Sequence, residues 1–102
     1  MNRRFSHIIK SQRPVLVDFY ADWCIPCRLM SPILKEVKER YKAKIRIIKV
    51  NVDYHPDIAS SFQIQNIPAI VLFHDGKIRW SGTGVQQAND ISCALKEILI
   101  SI

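Results

Sequence analysis

Two cysteines stand two residues apart in the stretch Trp23-Cys24-Ile25-Pro26-Cys27. They follow an apolar run that reads as a strand and precede a pattern that reads as a helix, which describes a thiol–disulfide switch. Cys24 then falls at the helix start, where unpaired backbone N–H groups and the positive end of the dipole stabilise a thiolate. Pro26 suits the first turn, because the N–H it lacks would have no intrahelical partner, and its fixed φ stiffens the small ring formed on oxidation. Trp23 is expected to roof the site. Other uses of such a pair are two ordinary small hydrophobes, half of a zinc site, or a permanent structural bridge. Zinc needs four ligands, and Cys93, His7, His55 and His74 supply no second pair at zinc spacing, so no metal is expected. No export signal is visible, and thiols of a chain kept inside the cell stay reduced, which argues against a permanent bridge.

Two charges stand where apolar residues are expected. Asp18 interrupts the run Val15-Leu16-Val17-Asp18-Phe19-Tyr20. It is either an acid pointing outward at an edge or a buried acid with a raised pKa that exchanges protons with a nearby thiol. Lys49 lies within Ile45 to Val52. It is either a buried cation that needs a partner, for which Asp18 is the obvious group, or a lysine with a covered stem and a solvated head.

The elements that must position these residues are short and punctuated. Phe5, Ile8 and Ile9 mark an amphipathic stretch over 5–12 that ends at Gln12-Arg13-Pro14. Residues 15–20 form the first strand, so apolar that both faces must be covered, and it delivers Cys24 to the carboxyl end of a sheet. A helix over 24–41 buries Met30, Ile33, Leu34, Val37 and Tyr41, with a kink expected where Pro32 removes the bond to the Arg28 carbonyl. Ile45 to Val52 reads as a second buried strand. Asp53-Tyr54-His55-Pro56 turns into a short helix through Ile58, Ala59 and Phe62, and Ile64 and Ile67 lead to Pro68. A third strand runs from Ala69 to Phe73, Asp75-Gly76 signals a hairpin, and a fourth strand runs from Lys77 to Ser81. Gly82 and Gly84 suggest a bulge near its end. A last helix over 87–101 buries Ile91, Leu95, Ile98 and Leu99 and leaves Cys93 on its other face, as a bystander.

At 102 residues the chain is read as a single domain, 1–102, with one core. No apolar run approaches bilayer-spanning length, and no apolar block of signal-peptide length follows Met1 to His7, so a cytoplasmic location is expected. The formal charge of +6 gathers between Lys35 and Lys49. That run reads as a solvated face; without interleaved exposed aromatics neither nucleic acid nor membrane is expected as a partner. Steering of acidic protein partners remains open.

With these elements placed, the sequence resembles the thioredoxin family over about residues 14–100. The resemblance rests on Trp-Cys-x-Pro-Cys together with Val17-Asp18-Phe19-Tyr20-Ala21, Pro32, Lys49-Val50-Asn51-Val52-Asp53, Ile67-Pro68 before Ala-Ile-Val-Leu-Phe, Asp75-Gly76-Lys77 and Gly84. It implies an α/β thioredoxin-like fold, a central mixed sheet flanked by helices. It implies a protein disulfide reductase that cycles a Cys24–Cys27 dithiol and disulfide with no bound cofactor, recharged from NADPH by a thioredoxin reductase, with disulfide-containing proteins as substrates. It also implies a cis bond before Pro68 that faces the cysteines. By chemistry and by the resemblance, Cys24, nearer solvent, attacks the target, and Cys27, one turn deeper, resolves the mixed disulfide. Asp18, held near Lys49, accepts the Cys27 proton. Ile67 offers backbone hydrogen bonds to an extended target segment, and Trp23, Ile25, Pro26, Pro68, Gly84 and Val85 form the contact surface.

Three departures qualify the match. Ile25 replaces the family's usual glycine, Ala69 replaces a common threonine, and the segment before Pro14 is too short for the family's first strand and helix. The sheet is therefore expected to have about four strands, with the N-terminal edge strand missing or vestigial and the strand of Ile45 to Val52 partly uncovered. A monomer is expected, with edge-strand association as the exception. Two rival functions are a dedicated thiol–disulfide protein of one pathway and a non-catalytic binding module of the same fold.

Overall fold

Val15, Leu16, Val17, Phe19 and Tyr20 are aliphatic or aromatic on both sides of a pleat, and such a run is stable only in a sheet covered on both faces. It forms β1 (Val15–Tyr20) in a computed structural model that describes residues 2–101, and every residue of β1 but Tyr20 is buried. β2 (Arg46–Asn51) pairs parallel to β1 on one side. β3 (Ala69–His74) pairs antiparallel on the other, and β4 (Lys77–Thr83) pairs antiparallel to β3. The strand order is β2-β1-β3-β4, a mixed four-stranded sheet.

β2 is the partly uncovered edge strand expected from the short segment before Pro14, and it is less buried than its apolar residues alone suggest: Arg46 and Lys49 are exposed, Ile47 and Ile48 half-buried, and only Val50 and Asn51 buried. The hairpin falls where Asp75-Gly76 placed it, with φ of 54° and 79°, the positive values that a two-residue turn between twisted strands requires. The bulge lies elsewhere than expected. Leu72 pairs with Trp80 and Phe73 with Ile78, so the extra residue is Arg79, and β4 continues past Gly82 to Thr83.

Helices cover both faces. On one, α1 (Arg3–Ile9), capped by the Asn2 side chain accepting from the Phe5 N–H, buries Phe5 and Ile9. There Phe5 meets Phe62 and Phe73, with ring centroids 5.7 and 6.0 Å away, beside α4 (Pro56–Ser61). On the other face α3 (Met30–Tyr41) and α5 (Ala88–Ser101) bury Met30, Leu34, Val37, Ile91, Leu95 and Ile98 against Leu16, Ile70 and Leu72. The Tyr41 hydroxyl ties these helices through hydrogen bonds to the carbonyl and hydroxyl of Ser92. Leu99 is half-buried rather than buried, and Cys93 is exposed.

The helix expected over 24–41 is divided. α2 (Ile25–Arg28) ends at Leu29, whose N–H bonds to the carbonyls of Pro26 and Cys27, and α3 begins at Met30. Pro32 explains the place: it has no N–H for the Arg28 carbonyl, and its ring crowds that carbonyl, so the chain breaks between them. Among the described residues no helix is long and apolar enough to cross a membrane.

The packing of α1 yields a direct test. Phe5→Ala removes a fully packed ring, so chemical denaturation should show a loss of about 3 kcal/mol. A loss below about 1 kcal/mol would mean that α1 stands outside the cooperative core.

Candidate active site

β1 ends at the carboxyl edge of the sheet, and the chain turns there into α2. The turn is closed by the Cys24 N–H donating to the Ala21 carbonyl at 3.2 Å. Cys24 is the cap of α2, with extended φ and ψ of −85° and 106°, and its sulfur accepts from the Cys27 N–H at 3.3 Å. Pro26 lies within the first turn, where its missing N–H has no intrahelical partner. Cys24 and Cys27 are joined in a disulfide with Cα atoms 5.3 Å apart. A sulfur that accepts from a helix N-terminal N–H is placed to hold negative charge once the bond opens.

Accessibility does not separate the two cysteines. Cys24 is 4% exposed and Cys27 5%, so the expectation that Cys24 lies nearer solvent is not met. Their neighbours account for this: both pack in one cluster with Ala21, Tyr20, Val52 and Ile67. What distinguishes Cys24 is its position at the cap.

The exposed apolar residues stand beside this cluster. Trp23 is 67% exposed, with its indole N–H donating to Asp53 at 2.9 Å, so it flanks the site with a solvated ring. Asp53 is held in turn: its N–H donates to the Asn51 side chain at 2.9 Å, and the Asn51 amide reaches Asp22 at 3.4 Å. Ile25 is 64% exposed. Leu29, four residues on, is also largely exposed; its one signal in the sequence is an apolar side chain just outside the buried stripe of α3. The Ile67–Pro68 peptide bond is cis, Pro68 is buried and Ile67 half-buried. Gly84, with φ of 85°, donates its N–H to the Pro68 carbonyl at 2.7 Å, which fixes the end of β4 against this loop and sets Val85 at the surface. The Gly82 position is tight, because a side chain there would meet Gln86.

Asp18 lies on the central strand, 1% exposed, and neither carboxylate oxygen has a hydrogen-bond partner among the described residues. Desolvation pushes its pKa up to about 6, against the opposing pull of Lys49. The proposed pairing of these two charges is corrected by the structure. Lys49 is opposite Asp18 in the β1–β2 register, yet it forms no ion pair with it. Its ammonium lies 4.8 Å from the centroid of the Tyr20 ring and 3.5 Å from the Ser31 hydroxyl. On an edge strand the ammonium keeps water and an aromatic face, which costs less than entering the core. A cleft of about 320 Å³ lined by Tyr20, Asp22, Cys27, Arg28, Ser31 and Lys49 opens beside the Cys27 end of the disulfide. Among the described residues no cluster of His, Cys, Asp and Glu has the makings of a metal site.

A helix-capping cysteine bonded to its neighbour one turn on can exchange that bond for one with an incoming thiol or disulfide. Comparison with known proteins agrees. The family model described as Thioredoxin matches residues 1–97. The thioredoxin of Alicyclobacillus acidocaldarius is 39% identical over 95 residues, which span 93% of this chain and 90% of that one. The thioredoxin of Rickettsia bellii is 39% identical over 84 residues, 82% of this chain and 80% of its own. Mitochondrial thioredoxin 3 from Saccharomyces cerevisiae, in its oxidised form, matches in structure with a TM-score of 0.83 at 32% identity, covering 92% of this chain and 87% of that one. With its capping disulfide and its helix-flanked mixed sheet, the chain belongs to the thioredoxin family and is a protein thiol–disulfide oxidoreductase.

Proposed function

We propose that this protein reduces disulfides in a broad set of protein substrates in the cytoplasm, as a single-domain monomer recharged from NADPH by a thioredoxin reductase. The observation that carries this reading is the disulfide at the start of α2 with a buried, unpartnered carboxylate on the adjoining strand. In the reduced protein the Cys24 thiolate attacks one sulfur of the target disulfide; that bond breaks, a mixed disulfide forms, and the second target sulfur leaves and takes a proton. Cys27 then gives its proton to Asp18, directly or through water, and attacks Cys24. The mixed disulfide breaks, the first target sulfur leaves as a thiolate and takes a proton from Asp18 or from water, and Cys24–Cys27 is restored. Two electrons pass to the target.

Lys49 holds the field at Asp18 without neutralising it. An extended target segment lies along Ile67 and Pro68, taking backbone hydrogen bonds from Ile67 and apolar contact from Trp23, Ile25, Pro26, Gly84 and Val85.

The central test is reduction of insulin disulfides with NADPH and a thioredoxin reductase. Wild type should turn over, Cys24→Ser and Cys27→Ser should each be inactive, and Cys27→Ser should accumulate a mixed disulfide. Turnover with dithiothreitol but none with the reductase would replace the general donor with a dedicated one.

Asp18 sets a pH dependence. Its folded value of about 6 stands above the ordinary 3.8, so the stability tied to its neutral form is complete below 3.8 and is lost as pH rises through about 6. At about 1.4 kcal/mol per pH unit the loss amounts to roughly 3 kcal/mol. Urea unfolding should therefore show Asp18→Asn gaining on wild type by up to that amount between pH 4 and pH 7, with slower resolution of the mixed disulfide. A stability difference that stays flat over this range would remove Asp18 from its role.

Ile25 limits the partners by its bulk. Ile25→Gly should widen the range of protein disulfides reduced at wild-type rates; equal turnover of a varied panel by both proteins would refute that limit.

A further inference from the structure

The outer edge of β2 is open, and the residues around it are one-sided in charge. The Arg46 N–H donates to Pro14 and the Val52 N–H to Tyr20, both at 2.9 Å, so in this parallel ladder alternate residues from Arg46 turn toward β1. Ile47 and Lys49 turn their backbone N–H and C=O groups the other way. Both ends of that edge are occupied: the Ile45 carbonyl accepts from the Lys38 ammonium at 2.8 Å, and the Asn51 carbonyl from the N–H groups of Tyr54 and His55. Between them, among the described residues, nothing pairs with Ile47 or Lys49.

A cleft lies on each face of this edge. On the α3 side it measures about 340 Å³, with Leu34 and Ile47 at its floor and Lys35, Lys38, Arg46 and Lys49 around it. On the α1 side it measures about 270 Å³, with walls of Phe5, Ile8, Ile48, Val50 and Ile58 and with Asn2, Arg4, Lys49 and His55 also lining it. No carboxylate lines either cleft.

We infer that the free edge of β2, with these two clefts, is a docking site for an acidic, extended protein segment that adds to the sheet as a fifth strand. Successive side chains of such a strand point to opposite faces, so carboxylates would meet Lys35, Lys38 and Lys49 on the α3 side while apolar residues reach Ile8, Ile48 and Val50 on the α1 side, where Arg4 and His55 add to the positive charge. The partner is an amphipathic strand of alternating acidic and apolar residues. A second copy of this chain does not fit, because its own β2 would bring Arg46 and Lys49 against the same cations. Cations on an edge strand also guard against aggregation, but guarding alone gives no reason for a cleft with apolar walls on each face of the edge. This surface is separate from the Ile67–Pro68 contact and does not depend on the electron donor.

The probe is a synthetic peptide of about ten residues that alternates valine and glutamate. Amide shifts on binding to the full chain should centre on Ile47 and Lys49, and the same peptide with glutamine for glutamate should bind about tenfold more weakly at low salt. Lys35→Glu combined with Arg46→Glu should weaken binding by a similar factor and leave insulin reduction unchanged. Ile47→Pro removes an outward N–H that β1 does not use and should abolish binding. If that variant does not fold, a peptide N-methylated on alternate amides serves instead and should not bind. The inference is overturned by no binding at millimolar peptide, by shifts confined to Trp23 and Ile67, by equal affinity for the glutamine peptide, or by self-association through β2 in sedimentation.

Discussion

A strand with apolar side chains on both faces has no side it can show to water, and that constraint on β1 organises the molecule. Helices must lie on both faces of the sheet, and two cores follow, one around Phe19, Phe73 and Phe5 and the other around Leu16, Leu72 and Leu95. Because β1 is held from both faces and by strands on both sides, its carboxyl end is a fixed point. The disulfide is attached to that point within a few residues, through the Ala21–Cys24 turn. Rigidity of the strand thus becomes placement of the sulfur atoms.

The same constraint makes Asp18 expensive. A carboxylate on β1 can reach neither water nor, in this register, the lysine opposite it, since Lys49 is drawn to the Tyr20 ring and to solvent. The core bears the cost by keeping the acid protonated to higher pH than usual, and a group with a proton to hold or release near neutrality stands on the strand that leads to Cys27. Such a conflict between local chemistry and burial is tolerated where it serves chemistry.

Much of this was readable in the residues themselves. The continuous run at 15–20, the Asp75-Gly76 turn and the spacing of Ile91, Leu95 and Ile98 each point to one structure, because periodicity and turn chemistry are local. The capping position of Cys24 followed from strand, pair and helix in order. The features that the residues do not reveal depend on neighbours distant in the chain. Residues 45–52 alone leave open whether Lys49 faces a core or water; the short segment before Pro14 points to the answer, since among the described residues no strand lies outside β2. The bulge at Arg79 belongs to the pairing of β3 with β4, and the shielding of Cys24 comes from Val52 and Ile67, which join it only in the folded chain.

The break at Leu29 separates the sulfur chemistry from the rest of the long helical segment. N-terminal N–H groups and the dipole act mainly within the first turn, so a four-residue α2 provides most of what Cys24 can use. The basic residues of α3 sit in a second helix whose own start is at Met30. Substitutions along Lys35 to Lys42 can therefore change the charge of that face without retuning the cysteine, and the surface is free to drift while the redox centre stays constant.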